Sequence, residues 1–159
     1  KNKNTFLVRN LPDKDKAAEL LNEIRDRLSK IVENVKTQND SEKEDIERLV
    51  KNYRPDNISE SSPGNKFTSY SINKGEKLVF CIRSKDEHAN LVEINTMMFV
   101  AIHELAHLMT KSIGHTPEFW NNMKYLLKKG IDVGVYQKQD FSSNPVNYCG
   151  TKITNSPLD

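Results

Sequence analysis

His103-Glu104-Leu105-Ala106-His107 is followed closely by Gly114-His115-Thr116-Pro117-Glu118-Phe119-Trp120. Residues four apart on a helix share a face, so His103 and His107 can direct two imidazoles at one ion. Glu104 sits one residue round, where a carboxylate reaches a water held by that ion without being a ligand. This HExxH spacing is a pattern by which one helix holds zinc. A catalytic zinc takes three protein ligands and leaves its fourth position to water. His115 is the nearest third nitrogen; it follows Gly114, after a segment long enough to reverse direction and bring it back. Three of the four histidines in the chain fall in this stretch.

The surroundings supply the helix that the motif needs. Leu91, Ile94, Met98, Ala101, Leu105 and Leu108 keep a helical period, predicting a central apolar helix from about Asn90 to Lys111. Thr116-Pro117-Glu118 opens another: threonine is a good N-cap, proline suits the first helical position and an acid suits the first turn. Phe119, Trp120, Met123, Leu126 and Leu127 form its core side, and Gly130 ends it.

Toward the N-terminus, Phe6-Leu7-Val8 reads as a short strand. Ala17, Leu20, Leu21, Ile24, Leu28, Ile31 and Val35 recur at steps of three and four, an amphipathic helix from about Asp13 to Lys36. Ser41 and Glu44 have capping-box spacing for a second helix, with Ile46, Leu49 and Val50 buried and Pro55 ending it. Ser59 to Asn65 is polar, contains Pro63-Gly64 and reads as a loop. Phe67 to Ile72 and Leu78 to Arg83 read as a hairpin about Asn73-Lys74-Gly75. Leu78 to Arg83 is the expected edge strand above the cleft, available to an extended substrate. His88 belongs to an exposed loop or helix start.

At 159 residues one domain is expected, with a core over about 5–137 and an extended C-terminal tail over 138–159. A formal charge of +2 offers no general case for nucleic acid binding. Lys124, Lys128 and Lys129 read as a solvated helix face. Cys81 and Cys149 form no CxxC pair, which excludes a zinc ribbon within this chain. They can join as one disulfide, but usage this sparse also fits a reducing, intracellular compartment, and a buried free thiol is the expectation for Cys149. No apolar run approaches the roughly 18 residues of a membrane span.

The chemistry follows from the residue types. Neutral His103, His107 and His115 supply three nitrogens to Zn2+, and water in the open position becomes acidic. Glu104 takes the proton as that water attacks an amide carbonyl, then passes it to the leaving amine. Glu118 is a rival third ligand, ranked instead as an outer carboxylate because it follows so soon; Asp132 is weaker. Tyr136 and Tyr148 are candidate oxyanion stabilisers, although packing is the simpler role for each. Phe119 and Trp120 are taken as core.

The segment Gly114 to Trp120 behind HExxH resembles the third-ligand segment of the SprT-like and WLM zinc metallopeptidases. An amphipathic helix near the start, a strand ending in Ile82-Arg83 and a charged link before the motif helix are similar to the WLM type. The resemblance implies an α+β zincin-like fold, with a small mixed sheet, an edge strand above the cleft and a central HExxH helix. It implies one catalytic zinc, peptidase activity on proteins or peptides, and proteolysis of DNA-crosslinked proteins, with single-stranded DNA as a partner. The expected state is a monomer. Two other readings stand beside it: a DNA-associated or scaffold module with a structural or degenerate zinc site, and a regulatory peptidase without a nucleic-acid role.

Overall fold

The seven-residue apolar stripe near the N-terminus forms the expected helix, α1, over Lys14–Gln38, with Ala17, Leu21, Ile24, Leu28, Ile31 and Val35 buried along one side. The structure, a computed structural model, describes residues 6–38, 40–62, 69–84, 88 and 90–159. The remaining described elements are α2 (Lys43–Asn52), β1 (Ile58–Glu60), β2 (Tyr70–Ile72), β3 (Lys77–Phe80), α3 (Ile94–Met109), α4 (Pro117–Asp132), β4 (Val146–Tyr148) and β5 (Thr151–Ile153). The fold is α+β, with α3 against α1, α2 and α4.

Helix α3 is the element around which the others pack. Met97, Met98, Ala101, Ile102, Leu105, Ala106, Leu108 and Met109 are fully buried, so apolar surface closes round most of its circumference. It starts later than the sequence suggests, because the Glu93 carboxylate accepts from the backbone N–H groups of Asn95 and Thr96 and caps it there. It ends at Thr110, whose hydroxyl donates to the Ala106 carbonyl at 2.7 Å.

The expected hairpin about Asn73-Lys74-Gly75 forms, with β2 antiparallel to β3, but a third strand joins it and changes which strand is the edge. The sheet order is β1-β3-β2: β1 runs parallel to β3, with Ile58 opposite Leu78, and β2 runs antiparallel, with Tyr70 opposite Val79. The Leu78 segment is therefore central, and the edge facing the cleft belongs to β2. Ser59 and Glu60, read as loop, lie in β1. Their polarity hides a strand because Glu60 is buried against Arg83, accepting Nε at 2.6 Å. Phe6 to Val8 contributes a single bridge, Leu7 to Ser59. Phe67, Thr68 and Pro63-Gly64 lie outside the described residues.

Further corrections concern the ends of helices and the tail. α2 begins at Lys43 behind Glu42, with no side-chain cap from Ser41, and Val50 is 36% exposed. α4 runs through Gly130 to Asp132. A side chain at Gly130 would meet Ile102 and Tyr136 at 3.3 Å, so this glycine serves close packing rather than termination. The tail is not simply extended along the surface. β4 and β5 pair as a hairpin, and Phe141, Tyr148 and Cys149 are buried. Cys149 is no free thiol: it forms a disulfide with Cys81, across 68 residues of sequence. That pairing withdraws the support that unpaired cysteines lent to a reducing compartment. No described helix is long and apolar enough to cross a membrane.

Candidate metal centre

His103 and His107 project from successive turns of α3, and the link to α4 returns His115 to them. Ligand atoms of the three histidines all lie within 4.8 Å of one another, and His115 Nε2 approaches His103 Nε2 to 3.2 Å. The return depends on Gly114, whose φ of +90° lies in the left-handed region. Thr116 then caps α4, accepting from the Phe119 N–H at 3.2 Å.

The link is held from both ends. Glu118 accepts from the hydroxyl of Ser112 at 2.8 Å and from its N–H at 3.3 Å, which holds its carboxyl below the usual range. It is thus committed to the link and stands outside the three-histidine group. Asn122 donates to the buried Thr110 hydroxyl at 2.9 Å, tying α4 to the end of α3. Asp132 is exposed at the far end of α4 and joins no such group either.

Aromatic rings back the imidazoles. Phe119 is fully buried and stacks on His107 with ring centroids 4.3 Å apart. Trp120, expected in the core, is 40% exposed and its ring stands 5.3 Å from that of His115. Helical periodicity locates a face, and this face lies at the boundary between core and cleft.

The electrostatics suit a cation held by neutral nitrogens. Burial, with His107 and His115 nearby, pushes His103 down to about 3. Burial, then His115 and Lys74, pushes His107 down to about 4. Both imidazoles are therefore neutral at ordinary pH, the form that binds metal. Glu104 is buried, and desolvation raises its carboxyl to about 8; a cation held beside it would favour the ionised form, which accepts a proton. Three imidazole nitrogens with a carboxyl beside them form a donor set that fits zinc with an open position.

The histidines line a cleft of about 620 Å³ whose walls include Tyr70, Ser71, Lys74, Glu104 and Tyr148. The two candidate phenols part company here. The Tyr148 hydroxyl donates to the Cys81 carbonyl at 2.6 Å and is bonded to the Ser69 hydroxyl, and burial pushes it well above its usual value. Tyr136 is buried beside Phe99 and lines a different cavity with Arg27 and Glu93. Lys74 carries no signal in the sequence, because its contacts are with residues more than thirty positions away.

Fold and site together describe a metallopeptidase-like domain, and comparison with known proteins places it in a family. The WLM domain family model matches residues 1–158, and the chain belongs to that family, which gives it a metalloprotease-like role. It is 33% identical over 153 residues to the uncharacterized protein R325 of Acanthamoeba polyphaga mimivirus, covering 94% of this chain and 77% of that one. A shorter match, 34% identical over 84 residues, links it to the uncharacterized protein 136R of Invertebrate iridescent virus 6, covering 51% of this chain and 44% of that one. Among solved structures, Wss1 from Saccharomyces cerevisiae shares the fold with a TM-score of 0.60 at 18% identity, over 83% of this chain and 94% of that one. A mutant of Wss1 from S. pombe gives 0.53 at 22% identity, over 79% and 95% respectively.

Proposed function

We propose that this domain is a zinc-dependent endopeptidase acting on extended segments of protein substrates, with His103, His107 and His115 as ligands and Glu104 as general base. The observation that carries the reading is the convergence of three imidazoles within 4.8 Å beside a buried glutamate. When bound, zinc supplies Lewis acidity, polarising a substrate carbonyl and acidifying water in the open position. Glu104 removes the proton from the attacking water and returns it to the leaving amine. The edge of β2, which lines the cleft at Ser71, is the strand beside which an extended chain would lie. Tyr148 is retained as the oxyanion donor, which requires its proton to turn from the Cys81 carbonyl to the substrate; Tyr136 faces elsewhere.

Metal analysis and proteolysis test this together. Purified protein should hold one zinc per chain, and His103→Ala should lose it. Glu104→Gln should keep the metal while cleavage of an unstructured protein stops; normal cleavage by that variant removes Glu104 from the role of base. Tyr148→Phe should lower kcat by about 100-fold if its hydroxyl meets the oxyanion. Stimulation by single-stranded DNA would extend the substrate class to DNA-bound proteins. Indifference to it favours a peptidase without nucleic acid, in keeping with the small net charge.

A further inference from the structure

We propose that Lys74 is a positioning residue for the third histidine: its ammonium joins the β2–β3 turn to the carbonyls of His107, Thr110 and Ser112 and thereby sets where His115 stands. This inference rests on the zinc reading above. Nζ donates to the His107 carbonyl at 3.0 Å, to the Thr110 carbonyl at 2.6 Å and to the Ser112 carbonyl at 3.0 Å. An ammonium has three N–H groups, and three acceptors surround it. The first belongs to a residue whose imidazole is a proposed ligand. The other two belong to the link that delivers His115.

The location of the lysine is itself fixed. Carbonyls at the end of a helix are unsatisfied and carry partial negative charge, so a cation is favoured there. Lys74 adopts a φ of +54° between Asn73 at +49° and Gly75 at +113°, a region that a lysine enters only at a cost. Gly75 seats the turn, because any Cβ there would fall 2.2 Å from the Asn52 carbonyl oxygen. Glu118 and Asn122 tie the link to α4, while Lys74 ties it to the sheet. Asn52 provides a natural control. It donates to the Leu108 carbonyl at 3.0 Å, so it supports the same helix end without touching the link.

Zn2+ affinity of the whole chain, measured by chelator competition, reads the effect, with the visible spectrum of the Co2+ form reporting coordination. Lys74→Met should weaken Zn2+ binding about 10- to 100-fold, as loss of an outer partner does, and should alter the Co2+ spectrum. In a His115→Ala background the same substitution should change affinity by less than about twofold, since coupled sites do not add. Asn52→Ala should lower the melting temperature with Zn2+ affinity unchanged. Equal affinity in Lys74→Met and the parent overturns the proposal, as does an equal loss in both backgrounds. A parent chain that binds no Zn2+ overturns the metal reading as well, which separates the two failures. If Lys74→Met does not fold, Lys74→Gln is measured in its place. Failure of both to fold assigns Lys74 to stability alone and overturns its positioning role.

Discussion

Arg83 shows how much a single buried charge organises in this molecule. Its guanidinium is only 2% exposed and pairs with Glu60, also 2% exposed, and with Asp13, both at 2.6 Å. Glu60 further accepts from the Arg9 N–H at 2.8 Å, so one cluster gathers the N-terminal segment, β1 and the chain beyond β3. Arg83→Ala leaves the Glu60 carboxylate buried without its cation and should cost about 3–5 kcal/mol in urea unfolding. A loss below about 1 kcal/mol would show that water or another cation replaces it. Gly75 is a second such point. Gly75→Ala combines an unfavourable positive φ with a clash against the Asn52 carbonyl and should lower stability by more than about 1 kcal/mol. It should also weaken Zn2+ binding, since Lys74 is its neighbour. At this scale the sequence was readable where chemistry is local: His103, Glu104 and His107 share one helix, and the position of each follows from its period. Trp120 and Lys74 were not, because the first straddles core and cleft and the second acts on carbonyls remote in sequence.

Among the elements, α4 and the link before it decide whether a third nitrogen arrives. Thr116 caps α4 through the Phe119 N–H, and its hydroxyl also meets that of Ser112 at 2.7 Å. Thr116→Ala should therefore lower unfolding stability by about 1 kcal/mol, with a larger proportional effect on Zn2+ affinity than an equal loss elsewhere. The other side of α4 is fastened to the segment following α1, where Asp40 accepts from both the Tyr125 hydroxyl and the Lys129 ammonium. Lys129, read as part of a solvated face, is thus partly engaged. Its hydrogen bond, then that of Tyr125, holds Asp40 below the ordinary carboxylate value. A carboxyl depressed in the folded chain contributes stability above its unfolded value, near 4, and loses it as the pH falls through the folded one. Asp40→Asn should remove that part of the slope below about pH 4, leaving the curve near neutrality parallel to the parent's. Superimposable acid limbs would show that the pair contributes nothing measurable, as exposed pairs often do. The helices were legible because apolar periodicity records burial on one face. β1 was not, because its Glu60 is paired with a residue 23 positions further on and its Ser59 lies between β3 and Leu7, and no local pattern carries that information.

Across the whole molecule, the Cys81–Cys149 disulfide joins the sheet to the C-terminal hairpin, closing a loop with a sequence separation of 68. Inside that loop lie the whole of α3, the whole of α4 and β4, so every residue of the three-histidine group falls between the two cysteines. The tail that composition marked as surface chain is therefore part of the cleft: Tyr148 and Ile153 line it, and Tyr148 reaches back to the Cys81 carbonyl beside the bridge. Neither the pairing nor the hairpin was legible, since two cysteines in a polar context state no partner and short strands such as β4 lack a long alternation. Chain-entropy reasoning gives a crosslink of this span about 4 kcal/mol. Cys81→Ser with Cys149→Ser should accordingly lower unfolding stability by about 2–4 kcal/mol, read by urea titration with and without a thiol reductant. The reductant should shift the parent toward the double variant and leave the variant itself unmoved. Because the histidines sit on α3 and its link rather than on the tail, Zn2+ affinity should change little. Under the proposed mechanism, in which Tyr148 meets the oxyanion, cleavage should fall more than metal binding does. A reductant-insensitive parent with full stability would mean that the hairpin is held by Tyr148, Phe141 and their packing alone, and that the covalent bridge adds nothing to the fold.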